Sequence, residues 1–125
     1  MITPTVVHAA YTVDLGYPAG EGSRTLDERA VTRRTLSGSL RTSLLSYSYT
    51  YRLDFAGVLR ADYDRLVELW LAAVAAGAFP RFTFTDVWPT AYNVPVALEI
   101  GPLVWDVPGT DEGSYSLVLA EAEPR

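Results

Sequence analysis

The sequence predicts an α+β fold, a mostly antiparallel β-sandwich or half-barrel with one α-helix packed on the sheet. Two observations lead to this class. Only one stretch, residues 62–76, has the period of an amphipathic helix. The segments on both sides of it have strand composition and are separated by short turns. The 125 residues correspond to a single domain, residues 1–125, with a long polar loop at about residues 16–30.

The helix has recognisable start and stop signals. Asp62 is a candidate N-cap, because its carboxylate can accept hydrogen bonds from the unpaired N–H groups of the first turn. Gly77 suits the left-handed position that follows many helices. Apolar residues at three- and four-residue spacing predict a buried stripe, formed by Tyr63, Leu66, Val67, Trp70 and Val74.

The second half of this helix is apolar on more than one side. Leu71, Ala72 and Ala75 lie off the predicted stripe, and a helix that is apolar all round is usually covered on more than one side. A loop of the same chain and another subunit are the two candidates for this second cover. We favour the subunit, because a domain of this size has little spare chain, and we expect these three residues to make subunit contacts.

Three strands are predicted before the helix. Residues 5–15 and 31–42 have strand composition, and Gly38 is expected to mark a bulge or a close backbone approach. Residues 46–55 form the clearest strand, because apolar and polar side chains alternate over ten positions. The face expected to be buried carries Tyr47, Tyr49, Tyr51, Leu53 and Phe55.

Four further strands are predicted after the helix. They cover residues 81–86, 91–100, 103–107 and 115–120. Phe82 and Phe84 fall on one face of the first of them. Pro95 has no N–H group to donate to a neighbouring strand, so it is expected at a sheet edge or at a bulge.

The loop at residues 16–30 contains three Gly, one Pro and five charged residues. Loops of this length are often functional or disordered. One interpretation is a mobile hairpin tip, and the other is an arm that becomes ordered against a neighbouring subunit. We favour the arm, and the contact residues expected in it are Arg24, Asp27, Glu28 and Arg29.

Composition limits the classes of function. The net charge of −5 argues against a nucleic-acid-binding protein, which gains affinity by neutralising phosphates, but it suits a protein that lets DNA pass without binding it. No apolar run reaches the roughly 18 residues of a membrane span, and the first residues lack the features of a signal peptide. Without cysteine there is no disulfide or thiolate chemistry.

No arrangement of residues predicts an active site. His8 is the only histidine, and it has no neighbours that would complete a metal site or a nucleophile–base pair. The acids that could pair in the manner of a glycosidase are Asp86, Glu99, Asp106, Asp111 and Glu112, and they are expected to be solvated. We therefore expect no catalytic residue, cofactor, metal or small-molecule substrate, and no enzymatic activity.

Four segments follow one another in the order RRTLSGSLRT, SYSYTYRLDF, LWLAAVAAGAFPRFTFTD and AYNVPVAL. An Arg-bearing strand, an aromatic strand, an amphipathic helix, a Phe-x-Phe strand and a closing strand in this order resemble the small minor-tail and tail-tip proteins of long-tailed bacteriophages. The resemblance implies a virion subunit made in the host cytoplasm. It would assemble with its own copies and with neighbouring tail proteins into a ring around the tail channel, without catalysis or specific nucleic-acid binding.

Two other hypotheses remain open. The first is a carbohydrate- or partner-binding β module that uses Tyr47, Tyr49 and Tyr51 as a stacking platform, and it requires those rings to be exposed to solvent. The second is a role in another virion layer, as a head–tail connector or a capsid decoration protein.

Overall fold

The computed structural model describes residues 3–19, 22–36, 38–105 and 112–123, and these residues form eight strands and one helix. In chain order the elements are β1 (Thr5–His8), β2 (Tyr11–Asp14), β3 (Ser23–Arg34), β4 (Leu40–Leu59), α1 (Arg60–Ala75), β5 (Arg81–Thr83), β6 (Val94–Ile100), β7 (Val104–Trp105) and β8 (Glu112–Glu121).

The strands form one antiparallel sheet. Its order is β2-β1-β5-β6-β8-β4-β3, with β7 beside β8. Within the described residues the sheet does not close into a barrel, and β2 and β3 are its edges. Helix α1 packs on β1, β2 and β4. The predicted α+β class, with one helix on a large antiparallel sheet, is confirmed, and the open sheet is consistent with a sandwich or half-barrel.

The core lies between α1 and one face of the sheet. The buried side chains of the two adjacent strands β4 and β8 are Tyr51, Leu53, Phe55, Tyr115, Leu117 and Leu119. Exposed Arg52 and Asp54 separate the buried positions of β4, as the period of two in a strand requires. Phe82 and Phe84 also enter the core. The alternation predicted for residues 46–55 is confirmed from Tyr51 to Phe55, whereas residues 46–50 are all half-buried. The shared burial of the two phenylalanines is confirmed.

The helix begins two residues before its predicted start. Its N-cap is Leu59, which has an extended backbone and no side-chain capping bond. Leu59 is still paired with Glu112 in the sheet, so the strand itself fixes where the helix begins. Asp62 is therefore not the N-cap, but it lies in the first turn, where the helix dipole favours an acid. Gly77 follows the helix with a φ of 65°, as predicted.

The buried side of the helix is rotated from the predicted stripe. Leu66, Leu69 and Ala73 are fully buried, whereas Trp70 is half-buried and Val74 is 54% exposed. The prediction of a buried Val74 is wrong. The second half of the helix is apolar on both flanks, so periodicity alone cannot identify the flank that meets the sheet.

Residues 5–15 form two strands rather than the single strand predicted. The chain reverses at Ala9 and Ala10, and His8 lies opposite Tyr11. Ala9 has a φ of 51°, in a region that residues with a Cβ rarely occupy. The sequence carries no Asn or Gly that would mark such a tight turn, which explains why its pattern resembles one continuous strand.

Strand β3 replaces the second half of the predicted loop. Residues 23–30 belong to β3, and the strand predicted at residues 31–42 is interrupted after Arg34 by a turn. Gly38 serves this turn, with a φ of 88°, and the irregularity in the β3–β4 pairing lies instead opposite Arg29 and Ala30, whose partners are Ser46 and Leu44. The charged composition that suggested a loop also suits an exposed edge strand, because charges discourage unwanted pairing at sheet edges.

The strands after the helix are close to those predicted, with two corrections. The strand predicted at residues 81–86 ends at Thr83, because the chain turns at residues 85–87. Strand β6 pairs with β5 through Val94 and Pro95 and with β8 from Val96 onward. Pro95 thus lies inside the sheet, where β6 changes partner, and neither at an edge nor at a bulge. Proline has no N–H group to donate, and it is tolerated there because the hydrogen-bonding partner of β6 changes from β5 to β8 at this point. Residues 106 and 107 of the predicted strand 103–107 lie outside the described residues.

The conformation of Ala9 predicts opposite effects at two neighbouring positions. The change Ala9→Gly should raise the free energy of unfolding by about 0.5–1 kcal/mol, because glycine adopts a positive φ without steric cost. The control Ala10→Gly, where φ is not positive, should lower it by a similar amount. Urea denaturation measures both, and equal shifts in the two variants would contradict the described turn.

Two leucines of the helix provide a second test. Leu69→Ala should lower the free energy of unfolding by about 2–5 kcal/mol, because it empties a fully buried site. Leu71→Ala, at a position that is 60% exposed, should change it by no more than about 0.5 kcal/mol. Comparable losses in the two variants would show that Leu69 does not face the core more than Leu71 does.

Candidate assembly surface

A two-stranded ribbon extends past the rest of the sheet. Strand β4 pairs with β8 only from Thr50 to Leu59, whereas residues 40–49 of β4 pair with β3 alone within the described chain. We call residues 26–34 and 40–49 the ribbon. Ten strand residues span about 30 Å. A ribbon of only two strands is marginally stable in water. A partner that packs against this ribbon would therefore stabilise it.

The root of the ribbon is held by side chains. The carboxylate of Glu121 accepts a hydrogen bond from the backbone N–H of Tyr49 at 2.9 Å and another from the hydroxyl of Tyr51 at 3.0 Å. The guanidinium of Arg24 lies 4.4 Å from the centre of the Tyr49 ring, a cation–π contact. Glu121 thus stabilises β4 at the point where the strand leaves β8.

Hydrogen bonds join the two sides of the turn at the tip of the ribbon. The backbone N–H of Thr35 donates to the carbonyl of Ser39, and the side chain of Arg34 donates to the carbonyl of Gly38 at 2.9 Å. Leu36 is fully exposed on this turn. The ribbon therefore presents a leucine and an arginine at its far end.

Charge is distributed unevenly between the outer part of the ribbon with its tip, residues 29–45, and the rest of the chain. Residues 29–45 contain four Arg and no acid, a charge of +4. The remaining residues contain six Arg and fifteen acids, a charge of −9. The ribbon of one copy is therefore electrostatically complementary to the body of another.

The predicted arm residues lie on the edge strand β3. Arg24, Asp27 and Glu28 are exposed there. Asp27 accepts a hydrogen bond from the Thr50 hydroxyl at 2.6 Å, so it also supports the pairing of β3 with β4. The backbone of Arg29 lies in β3 where the pairing with β4 shifts register, and its side chain lies outside the described part of the structure.

The predicted helix residues fall on a different element. Leu71 is 60% exposed and Ala75 is exposed, while Ala72 is half-buried. Val74 at 54% and Phe79 at 50% exposure extend the apolar surface toward the end of the helix, and neither was predicted to be a contact residue. The dense apolar run from residue 69 to 79 was the signal that could have identified both.

A cleft lies at the opposite end of β4 from the ribbon. It has a volume of about 420 Å³ and is lined by apolar residues and by the carboxylates Asp14 and Asp62. Hydrogen bonds from the Thr3 side chain and the Gly16 N–H hold the pKa of Asp14 below its usual value, so this carboxylate is ionised at neutral pH. Asp14 and Asp62 are 48 positions apart, and no sequence pattern connects them.

Tyr115 also lines this cleft. Its ring stacks on Phe55 at 5.3 Å and meets Tyr63 edge-on at 5.2 Å. Burial raises the pKa of the Tyr115 hydroxyl far above its usual value. This tyrosine is therefore neutral and part of the core.

The aromatic row of β4 does not form an open platform. Tyr51 is completely buried, and Tyr47 and Tyr49 are half-buried. The Arg24 guanidinium also covers the Tyr49 ring. The stacking hypothesis required three exposed rings, and the burial of Tyr51 contradicts that requirement.

The described residues contain no group of three or more His, Cys, Asp or Glu side chains placed to hold a metal ion. His8 is half-exposed on β1. No helix in the described ranges is long and apolar enough to span a membrane.

The fold and this surface define an α+β protein with an open antiparallel sheet and a protruding edge ribbon. A comparison with known protein families and with curated proteins finds no match.

The root of the ribbon gives a third prediction. Glu121→Ala removes the acceptor of the two hydrogen bonds from Tyr49 and Tyr51, and should lower the free energy of unfolding by about 1–3 kcal/mol. The exposed acid Glu123 is the control, and Glu123→Ala should change stability by no more than about 0.5 kcal/mol. Chemical denaturation distinguishes the two, and a Glu121→Ala protein as stable as the control would contradict the role of Glu121.

Proposed function

We propose that the protein is a structural subunit of a bacteriophage tail or tail tip. It works by assembling with its own copies and with neighbouring tail proteins into a ring around the tail channel, and it has no catalytic activity. The ribbon is the observation that carries this proposal. A protruding two-stranded element gains stability when a second surface covers it, and a neighbouring subunit supplies such a surface.

The helix supports the proposal independently. Leu71, Val74 and Phe79 are each at least half exposed, on one short stretch of chain. Scattered exposed apolar residues are common in soluble proteins, but a local group of them is typical of an interaction surface. The resemblance in the order of elements supplies the kind of assembly, namely a phage tail.

The net charge is compatible with a position around DNA. A charge of −5 repels the phosphates of nucleic acid, so DNA would pass such a ring without being held. Basic residues concentrated on the ribbon are consistent with this arrangement when the ribbons engage acidic neighbours, because they are then neutralised by protein.

Location within a particle is the direct test. Electron microscopy of the purified protein should show ring-shaped oligomers, alone or after mixing with the products of adjacent genes. Antibody labelling of particles from cells that carry the gene should mark the tail or its tip. A protein that stays monomeric under all these conditions and is absent from particles would contradict the proposal.

A single substitution tests the helix surface. Leu71→Glu should leave the thermal unfolding temperature nearly unchanged, because the side chain is 60% exposed, but it should weaken self-association at least about tenfold by placing a charge in an apolar contact. Tyr92→Glu is the matched control, since Tyr92 is 71% exposed and lies between β5 and β6. Analytical ultracentrifugation measures both, and equal association of the two variants would exclude the helix from the interface.

A further inference from the structure

We propose that the tip of the ribbon of one copy docks into the Asp14–Asp62 cleft of the next copy and links subunits head to tail. This inference rests on the proposed assembly function and identifies its contact. Leu36 enters the apolar part of the cleft, beside Leu15 and Leu59, and the Arg34 guanidinium meets the two carboxylates.

Charge complementarity identifies the occupant as a second copy of this chain. The ribbon carries four Arg and no acid between residues 29 and 45, and the rest of the chain carries an excess of nine negative charges. The cleft carries two of these negative charges, since Asp14 and Asp62 line it and none of its lining residues is basic. Both carboxylates are exposed and accessible to an incoming guanidinium.

The apolar groups match as well. Leu36 is fully exposed, which is an unfavourable position for a leucine on an isolated molecule. Tyr17 and Leu59 of the cleft are 67% and 48% exposed. A cleft of about 420 Å³ is within the range of sites that enclose a small group. Docking would therefore bury apolar surface on both partners.

Arg34 has hydrogen-bonding capacity for this contact. Its bond to the carbonyl of Gly38 uses one N–H group, while a guanidinium has five donors in a planar fork suited to carboxylates. The same internal bond orients the side chain at the tip before docking. Less conformational freedom is then lost when the contact forms.

The contact must be between molecules. The tip precedes the first residue of β4, and the cleft includes the last residues of the same strand. A strand of 20 residues spans about 60 Å, so a tip cannot reach its own cleft. A donor at one end of a molecule and an acceptor at the other produce a heterologous contact, which generates rings or filaments.

A basic ribbon could also contact nucleic acid. The exposed Leu36 at the tip argues against that partner, because contacts to phosphate are made by cationic and polar groups and an apolar side chain adds nothing to them. The overall charge of −5 also opposes it. Nucleic-acid binding is therefore an outcome to be tested for.

Disulfide trapping tests the contact directly, because the chain has no cysteine of its own. The full chain with Leu36→Cys and Tyr17→Cys should form a ladder of covalent oligomers under mild oxidation, resolved on non-reducing gels. The control pair Leu36→Cys and Tyr92→Cys should give at most dimers through two tips. Rings or other oligomers without a ladder in the first pair would overturn the tip–cleft contact and leave the assembly function standing. The absence of any oligomer would also overturn the tip–cleft contact, and the assembly function would then be decided by the particle labelling described above.

Charge reversal provides the second readout. Arg34→Glu and Asp62→Arg should each reduce association at least tenfold in sedimentation velocity, and the two changes together should restore it to within threefold of the parent protein. Glu99→Arg, the same change of charge at an exposed position on β6, should have little effect. If the double variant is no better than the single ones, the pairing is wrong. A loss of duplex-DNA binding in Arg34→Glu with self-association unchanged would also overturn it.

Discussion

The length of β4 is the constraint on which the rest of the molecule depends. Its 20 residues are twice as many as the 10 residues of β8 beside it. One half of β4 is therefore a central strand with a buried face. The other half pairs only with β3 in the described chain. The core, the start of the helix and the ribbon are consequences of how this single strand is shared between two environments.

The two halves require different side chains, and the sequence changes accordingly. In the half that pairs with β8, bulky residues alternate with polar ones, and Tyr51, Leu53 and Phe55 fill the core. Glu121 lies at the boundary and holds Tyr49 and Tyr51. Beyond it the composition becomes basic. A local group of hydrogen bonds at the boundary lets a stable body support an extension that would be marginal alone.

Period-two patterning predicted the class of fold and the face of β4, because burial on one side leaves a direct record in alternating residues. It could not separate β1 from β2, since the turn at Ala9 uses a strained residue in place of glycine. It also could not orient the helix, where both flanks are apolar. The cleft could not be predicted from the sequence for a different reason: Asp14 and Asp62 are brought to the same cleft only by the tertiary structure.

The direction of the ribbon matters as much as its charge. A head-to-tail contact closes into a ring only when the rotation from one subunit to the next divides a full turn evenly, and otherwise it forms a filament. In this chain the pairing of β4 shifts register at two places between the cleft and the tip, opposite Arg29 and Ala30 and between Phe55 and Val58, and at each place β4 has one residue more than its partner strand. Bulges bend a strand and increase its local twist. If the tip docks in the cleft, these two sites set the angle between neighbours. The symmetry of the assembly is then a property of β4, and changes that remove either of its extra residues would alter the symmetry without changing the residues of the contact.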